Sequence, residues 1–322
     1  MNDRHAVVVL PPGAFEQQVG REQRGWLSRG LVSCANPGAE VLHNVLHCIA
    51  VPPPACGLAA LRFLGQTGEA PAGWMAAADP VHFEARLRHL VVHSLEPGEV
   101  SAEELRDLFG TLQQQLAGAG ESRFVSIGSC GYLRGGLPLA TPTLSASSAN
   151  GRLPDEFTPG GDTTRAFHKL QGEVQMVLHD HPVNLRRADA GRPTINALWF
   201  WGGGRVSEVS AQSLPVLFAD DPLLVGYWSS HSASVEAGRG DIDSCIECSA
   251  SGFVAVLPGA VTGISINVAD TLERLRRGLQ SGAIGRLSLL FHDGLRVDLT
   301  RRDLLKFWKR PSAFLMTRHV NE

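Results

Sequence analysis

The chain has no stretch of about 18 consecutive apolar residues, so no segment reads as a membrane-spanning helix. Its first apolar run, Ala6–Leu10, is too short for the core of a signal peptide. No small-residue cleavage site follows it, so a secretory leader is not expected. Positive charge is not in excess: 29 Lys and Arg stand against 32 Asp and Glu, for a net charge of -3. Without a global basic field, neither nucleic acid nor an anionic membrane surface is an expected partner. Cysteine is sparse and unevenly spaced, at six in 322 residues, which reads as reduced thiols in a cytoplasmic protein. No internal repeat of fixed period is found.

What is present fits a folded α/β protein. Apolar residues make up 43% and charged residues 19%, and 322 residues can bury a sizeable core as one large domain or two. Glycine (35) and proline (19) make the chain turn-rich. Their share stays well below the roughly 25–30% that signals disorder.

Along the chain, Ala6–Leu10 predicts a buried strand ended by Pro11-Pro12-Gly13. Val41–Cys48 and Ala55–Leu64 predict helices separated by Pro52-Pro53-Pro54. Ala78–Phe83 and Arg88–Val92 predict a strand pair. Ser101-Ala-Glu-Glu104 is a capping box before an apolar stripe at Leu105, Leu108, Leu112 and Leu116. Phe124–Ile127 predicts a strand, and Leu137–Asp162 a long loop of the kind that often covers a site. Thr163–Asp180 predicts a helix that stops before Pro182, and Ile195–Trp201 a strand. Val216–Phe218, Phe253–Leu257 and Leu287–Phe291 are further short apolar runs. Asn267 caps a helix with a stripe at Val268, Leu272, Leu275 and Leu279. Phe291–Leu295 reads as a hairpin turn on its Asp-Gly signal, and Thr300–Lys309 as a closing helix. Strands alternating with helices imply an α/β sheet core.

The densest set of functional side chains lies in Gly172–Gly204. His179-Asp180-His181 ends a helix. It suits either a metal or phosphate contact or the cation preference of a helix C-terminus. A zinc site needs three or four ligands, and no second cluster lies near in sequence. Asn184, Arg186, Arg187 and Arg192 follow within what reads as one short loop. Arginine forks suit carboxylate and phosphate, while asparagine both donates and accepts. The alternative is a solvated charged loop. Gly202-Gly203-Gly204 at a strand end would let backbone N–H groups approach an anion, although the triplet matches neither the dinucleotide fingerprint nor the P-loop.

Three weaker signals have bland readings. Cys245-x-x-Cys248 lacks a second pair, and its acidic neighbours Asp241, Asp243 and Glu247 would raise a thiol pKa, so ordinary loop cysteines are expected. His43 and His47 lack the glutamate of a zincin and read as a partly buried surface pair. Gly128-Ser129-Cys130-Gly131 is not the G-x-S-x-G nucleophile turn.

The stretch HPVNLRRADAGRPTINALWFWGGG resembles a signature of the archaeal-type, cofactor-independent phosphoglycerate mutases. It resembles still more the RpfE-like regulatory proteins, degenerate relatives of those enzymes. Three further segments look like that group: Ala78–His82, Glu173–Met176 and Phe307–Pro311. The resemblance implies an alkaline-phosphatase-like sheet core flanked by helices, with a smaller inserted α+β domain. The expected division is core over 1–81, insertion over 82–194 and core again over 195–322. In the mutases two metal ions and a serine nucleophile carry the transfer. There the first strand ends in Asp-Gly, whose Asp is a metal ligand, whereas this chain has Leu10-Pro11-Pro12-Gly13. Nor does Phe253–Gly259 carry the acidic, histidine-containing metal segment found near the mutase C-terminus.

The expected function is therefore a non-catalytic regulatory or ligand-binding protein without a cofactor. Its partner would be a small anionic ligand or a regulatory protein. His181, Asn184, Arg186, Arg187, Arg192 and Asn196 are the expected anion or phosphate-ester contacts. The enzymatic alternative is a Mn- or Zn-dependent phosphomutase or phosphatase with relocated ligands drawn from His179, Asp180 and His181. A protein–protein scaffold is the third reading, with Trp199, Phe200 and Trp201 as contributors if that segment is not simply a buried strand.

Overall fold

Ala6–Val9 are all buried in β1 (His5–Val9), the central strand of the first sheet in the computed structural model. The structure describes residues 4–34, 39–87, 89–95, 98–117, 123–135, 139–157, 160, 164–206, 212–238, 241–249, 251–259, 266–291, 294–306 and 308. The chain divides into two compact units, Met1–Pro53 with Ser210–Glu322, and Pro54–Val209.

In the first unit β1 lies between β10 (Gly252–Val256) and β11 (Arg286–Leu290), parallel to both. Strands β8 (Val216–Phe218) and β9 (Val235–Glu236) extend the parallel ladder beyond β10. Strands β12 (Leu295–Thr300) and β2 (Leu31–Cys34) add an antiparallel edge beyond β11. A parallel sheet covered on both faces needs apolar side chains on both, which is why β1 reads as an unbroken apolar run. Ala6, Val8 and Leu10 share one core cluster with Phe15, Trp26, Leu272, Leu275 and Leu279. The last three belong to α10 (Val268–Ser281), whose Asn267 cap accepts the Asp270 N–H at 3.1 Å. Around the sheet lie α1 (Ala14–Gln18), α2 (Arg21–Leu27), α3 (Val41–Cys48), α8 (Pro222–Ser230), α9 (Ile242–Cys248) and α11 (Arg301–Leu304).

The second unit is built on one long strand, β3 (Met75–Ala85). One edge of β3 pairs antiparallel first with β6 (Cys130–Arg134) and then with β4 (Leu90–Ser94), while its other edge pairs with β7 (Ala197–Gly204). Strand β5 (Arg123–Ile127) pairs with β6. Three helices bear on the candidate site: α5 (Ala102–Leu116), α6 (Thr164–His179) and α7 (Pro182–Asp189). With α5 and α6 packed on the sheet, Leu105, Leu108, Leu112, Val174 and Leu178 join Phe200 in a second core cluster. Helix α4 (Leu58–Thr67) also belongs to this unit.

The α/β class is the one expected, in keeping with an alkaline-phosphatase-like sheet core. The second unit, Pro54–Val209, holds β3 from Met75 together with its partner β7 to Gly204. Differences from the sequence reading are local. Ser129 and Gly128, with φ at 57°, form a two-residue turn between β5 and β6, a hairpin not read from the sequence. Cys245 and Cys248 lie on α9 rather than in a loop. The triple glycine ends β7 instead of following it. Arg88, Thr163, the His292-Asp293 turn and the Phe307 and Lys309–Pro311 segments of the resemblance lie outside the described residues.

Candidate functional site

The segment from His179 to Asn196 is a second helix and its return, not the single loop expected. Helix α6 ends at His179, and Pro182 opens α7 at the first helical position, where its missing N–H costs nothing. His181 caps α7: its Nδ1 accepts the Val183 N–H at 3.2 Å. The ring proton therefore sits on Nε2, which donates to Thr111 Oγ1 at 2.9 Å. At the far end, Gly191 adopts a left-handed φ of 66°. Its N–H donates to Ala188 O at 2.9 Å, and the Arg192 N–H donates to Arg187 O at 2.8 Å. This Schellman pair reverses the chain and carries Arg192 back toward α5.

The two asparagines act as backbone surrogates. Asn184 is buried; its Nδ2 donates to Leu178 O and Ile195 O, and its Oδ1 accepts the Ile195 N–H, each at 2.7 Å. Asn196 treats Phe83 the same way, with Oδ1 accepting its N–H at 2.7 Å and Nδ2 donating to its carbonyl at 3.0 Å. The β3–β7 ladder begins at Val81 opposite Ala197, so the Asn196 amide continues it one step beyond the last backbone pair.

Arg187 is the largest charged side chain among the fully buried residues. Its Nε donates to Pro193 O at 2.7 Å, and its Nη1 donates to Glu99 O at 2.9 Å and to the Glu104 carboxylate. Arg192 donates to the same carboxylate at 2.8 Å. Glu104 also accepts the Ser101 N–H at 2.9 Å, closing the capping box of α5. Burial pushes the Glu104 carboxyl up, but the Ser101 N–H and the two guanidiniums outweigh it and hold the group below its ordinary value of 4.5. Burial lowers His181 below its ordinary 6.5, against the pull of Asp107 and with the help of Arg186.

His181, Asn184, Arg187, Arg192 and Asn196 each bond to the protein's own groups, and of these Arg187 and Arg192 share Glu104. Arg186 stands apart, largely exposed, 3.9 Å from Asp107. The triple glycine faces protein as well. A Cβ on Gly203 would lie 2.7 Å from Thr141 Oγ1, and one on Gly202 2.9 Å from the Ala59 nitrogen. The Gly203 N–H already donates to Thr141 Oγ1 at 2.8 Å.

The three donors named for a metal are not gathered on one site. His179 and Asp180 point into solvent with side chains 83% and 90% exposed. The His181 ring nitrogens are both taken by Val183 and Thr111. Among the described residues no three His, Cys, Asp or Glu side chains are grouped to hold an ion. His43 is half-buried and His47 exposed, as the pair reading expects. Trp199, Phe200 and Trp201 are buried in β7, as the buried-strand reading expects. A buried cluster missed by sequence reading lies beside them. Arg62 forks onto Asp79 at 2.8 and 2.9 Å and donates to Tyr132 Oη at 3.0 Å, while Trp201 Nε1 donates to Asp79 at 2.6 Å. Asp79 falls within the Ala78–His82 segment of the resemblance, and nothing local signals its partner 17 residues away.

The chain matches no protein-family model. It is 30% identical over 199 residues to a 2,3-bisphosphoglycerate-independent phosphoglycerate mutase from Methanosarcina barkeri, covering 58% of this chain and 50% of that protein. It is 27% identical over 175 residues to the enzyme of the same name from Methanosarcina mazei, covering 49% and 44%. The chain spans about half the length of the curated relatives it matches. The PH0037 protein from Pyrococcus horikoshii shares the fold, with a TM-score of 0.50, 11% identity, and 95% and 93% of the two chains covered. The chain is thus homologous, over part of its length, to the cofactor-independent phosphoglycerate mutases.

Proposed function

We propose that this protein is a non-catalytic relative of the phosphoglycerate mutases that acts by binding, as a regulatory or ligand-binding protein. The observation that carries the non-catalytic part of the reading is the inward engagement of the His181–Asn196 side chains. Side chains of the types that would grip a phosphate ester complete their hydrogen bonds on Pro193, Ile195, Phe83 and Glu104. Their role here is to hold α7 and the start of β7 in place.

The end of β1 agrees. Two-metal phosphoryl transfer draws on carboxylates and imidazoles to hold the cations. At this strand end the chain carries buried Leu10, then Pro11 and Pro12, whose side chains have no donor atom for a metal.

The test pairs two measurements on the full chain. Calorimetric titration of the metal-stripped protein with Mn²⁺ and Zn²⁺ is expected to show no stoichiometric binding. Interconversion of 2- and 3-phosphoglycerate is expected to stay at the background rate with either metal present. Tight binding of two ions per chain together with metal-dependent turnover would overturn the proposal and restore the phosphomutase alternative.

A further inference from the structure

Two histidines stand directly opposite each other on the β3–β4 pair. His82 on β3 is in register with His93 on β4. Val81 and Phe83 are buried, so the alternation of the strand puts His82 on the other face. Directly opposed residues hold their Cβ atoms about 4.5–5.5 Å apart, and the two ring centroids lie 6.4 Å apart.

Each ring has one nitrogen fixed by an acceptor. His82 Nδ1 lies 2.9 Å from Thr194 O, which can only accept, so Nδ1 carries the proton. His93 Nε2 lies 2.6 Å from Glu84 Oε2, and a carboxylate also only accepts, so here Nε2 carries the proton. In the neutral rings the lone pairs are left on His82 Nε2 and His93 Nδ1. Neither nitrogen bonds a described residue. The His93 side chain is 40% exposed and His82 is half-buried, so both rings can be reached from solvent. Metal-bound imidazoles are held in this way: the second N–H goes to a carboxylate or a backbone carbonyl, which fixes the tautomer and the ring orientation.

The donor set selects the ion. Zn²⁺ takes three or four protein ligands, and Mn²⁺ prefers oxygen, so neither is expected to bind tightly to two imidazoles. Cu²⁺ stands highest in the divalent series, suits imidazole and adopts a tetragonal set of N and O ligands. Bonds of about 2.0–2.1 Å, the length zinc makes to imidazole, ask the rings to close slightly. Rotation of the exposed His93 side chain supplies that movement.

We propose that His82 and His93 chelate one Cu²⁺ ion through His82 Nε2 and His93 Nδ1. Glu84 and Thr194 O hold the rings, and water fills the remaining positions. This inference stands independently of whether the chain turns over a phosphate ester.

The probe is Cu²⁺ itself, added to the full chain after iodoacetamide has blocked the exposed thiols, with glycine as the competing chelator. One ion per chain is expected to bind ahead of any other, with a tetragonal EPR signal split by nitrogen. His82→Gln and His93→Gln should each weaken that affinity at least about tenfold. The double variant should lose little more, because either change breaks the chelate. Glu84→Ala removes only an orienting partner and should weaken binding about tenfold while the nitrogen splitting persists. Among the described residues the His93 side chain bonds Glu84 alone, so His93→Gln should keep the fold, which its urea midpoint verifies. Wild-type affinity in the folded His93→Gln protein, fully additive losses in the double variant, or no ion held against glycine would each overturn the proposal.

Discussion

Arg187 and Glu104 form a buried ion pair at 3.2 Å, with side chains 1% and 13% exposed. The same carboxylate closes the capping box of α5 and receives Arg192. One acidic residue thus ties the start of α5 to both ends of the turn after α7. Removing Arg187 takes away the donor to the Glu99 and Pro193 carbonyls and the counter-charge of Glu104. Arg187→Met is expected to destabilise the second unit by about 3–5 kcal/mol, the range for breaking a buried pair from one side. Arg192 is 46% exposed, and Arg192→Ala should cost less than about 1 kcal/mol. Urea unfolding of the two variants checks the contrast; equal losses would show that the burial of Arg187 does not matter.

His181 makes stability depend on pH. Its pKa is lowered in the folded state, chiefly by burial, so the unfolded chain binds the proton more readily. The contribution is present above the ordinary value of 6.5 and is lost as pH falls from there through the folded pKa. Protonation would also remove the Nδ1 acceptor that caps α7. His181→Asn keeps a capping acceptor but does not titrate, so its urea midpoint should vary less than wild type between about pH 7 and 5. Glu104 acts lower: its folded pKa is depressed, so its share is lost as pH falls from 4.5 through the folded value. Glu104→Gln should flatten that acid limb alone.

Gly202 sits at a φ of 64°, with space for a Cβ closed by the Ala59 nitrogen at 2.9 Å and Leu58 Cβ at 3.0 Å. Gly202→Ala combines backbone strain with crowding and should cost about 1–3 kcal/mol. Gly172→Ala, on open helix surface, should instead stabilise by up to about 1 kcal/mol. Thermal melts of the pair should move in opposite directions.

The cysteines should divide by exposure. Burial pushes the Cys245 thiol up to about 12, with Asp241 adding to it, and burial pushes Cys48 up to about 11. Cys34, Cys56 and Cys248 are exposed. Iodoacetamide at neutral pH should label those three in the native protein and spare Cys48 and Cys245. Mass mapping of the labelled peptides decides it; rapid labelling of Cys245 would mean that α9 opens readily.

Asp79 and Arg62 offer the same contrast deeper in the unit. Asp79→Asn leaves the guanidinium, which also stacks on the Tyr132 and Trp201 rings, without its counter-charge. A loss of about 3–5 kcal/mol is expected, read by urea unfolding, with Trp201 fluorescence shifting as its Asp79 partner changes.

The elements legible in the sequence were those whose signal is local. The Ser101–Glu104 capping box, the stripe of α10 behind Asn267, and the apolar run of β1 each carry their own periodicity and ends. The β5–β6 hairpin was hidden because Cys130–Arg134 has little alternation, although a two-residue Gly128-Ser129 link is a hairpin signal. Helix α7 was hidden because two arginines and a proline look like a loop until His181 and Gly191 are seen to cap it.

The amino-acid sequence by itself determined the α/β class, the buried aromatic strand at 199–201 and the kinship carried by HPVN and its flanks, because these depend on the order of neighbouring residues. Which way the polar residues of that motif face was decided only by the tertiary structure. Arginine and asparagine suit a ligand's oxygen and a backbone carbonyl equally well. The choice was made by Glu99, Glu104, Phe83 and Ile195, which the fold brings to them from distant or reversed stretches of chain.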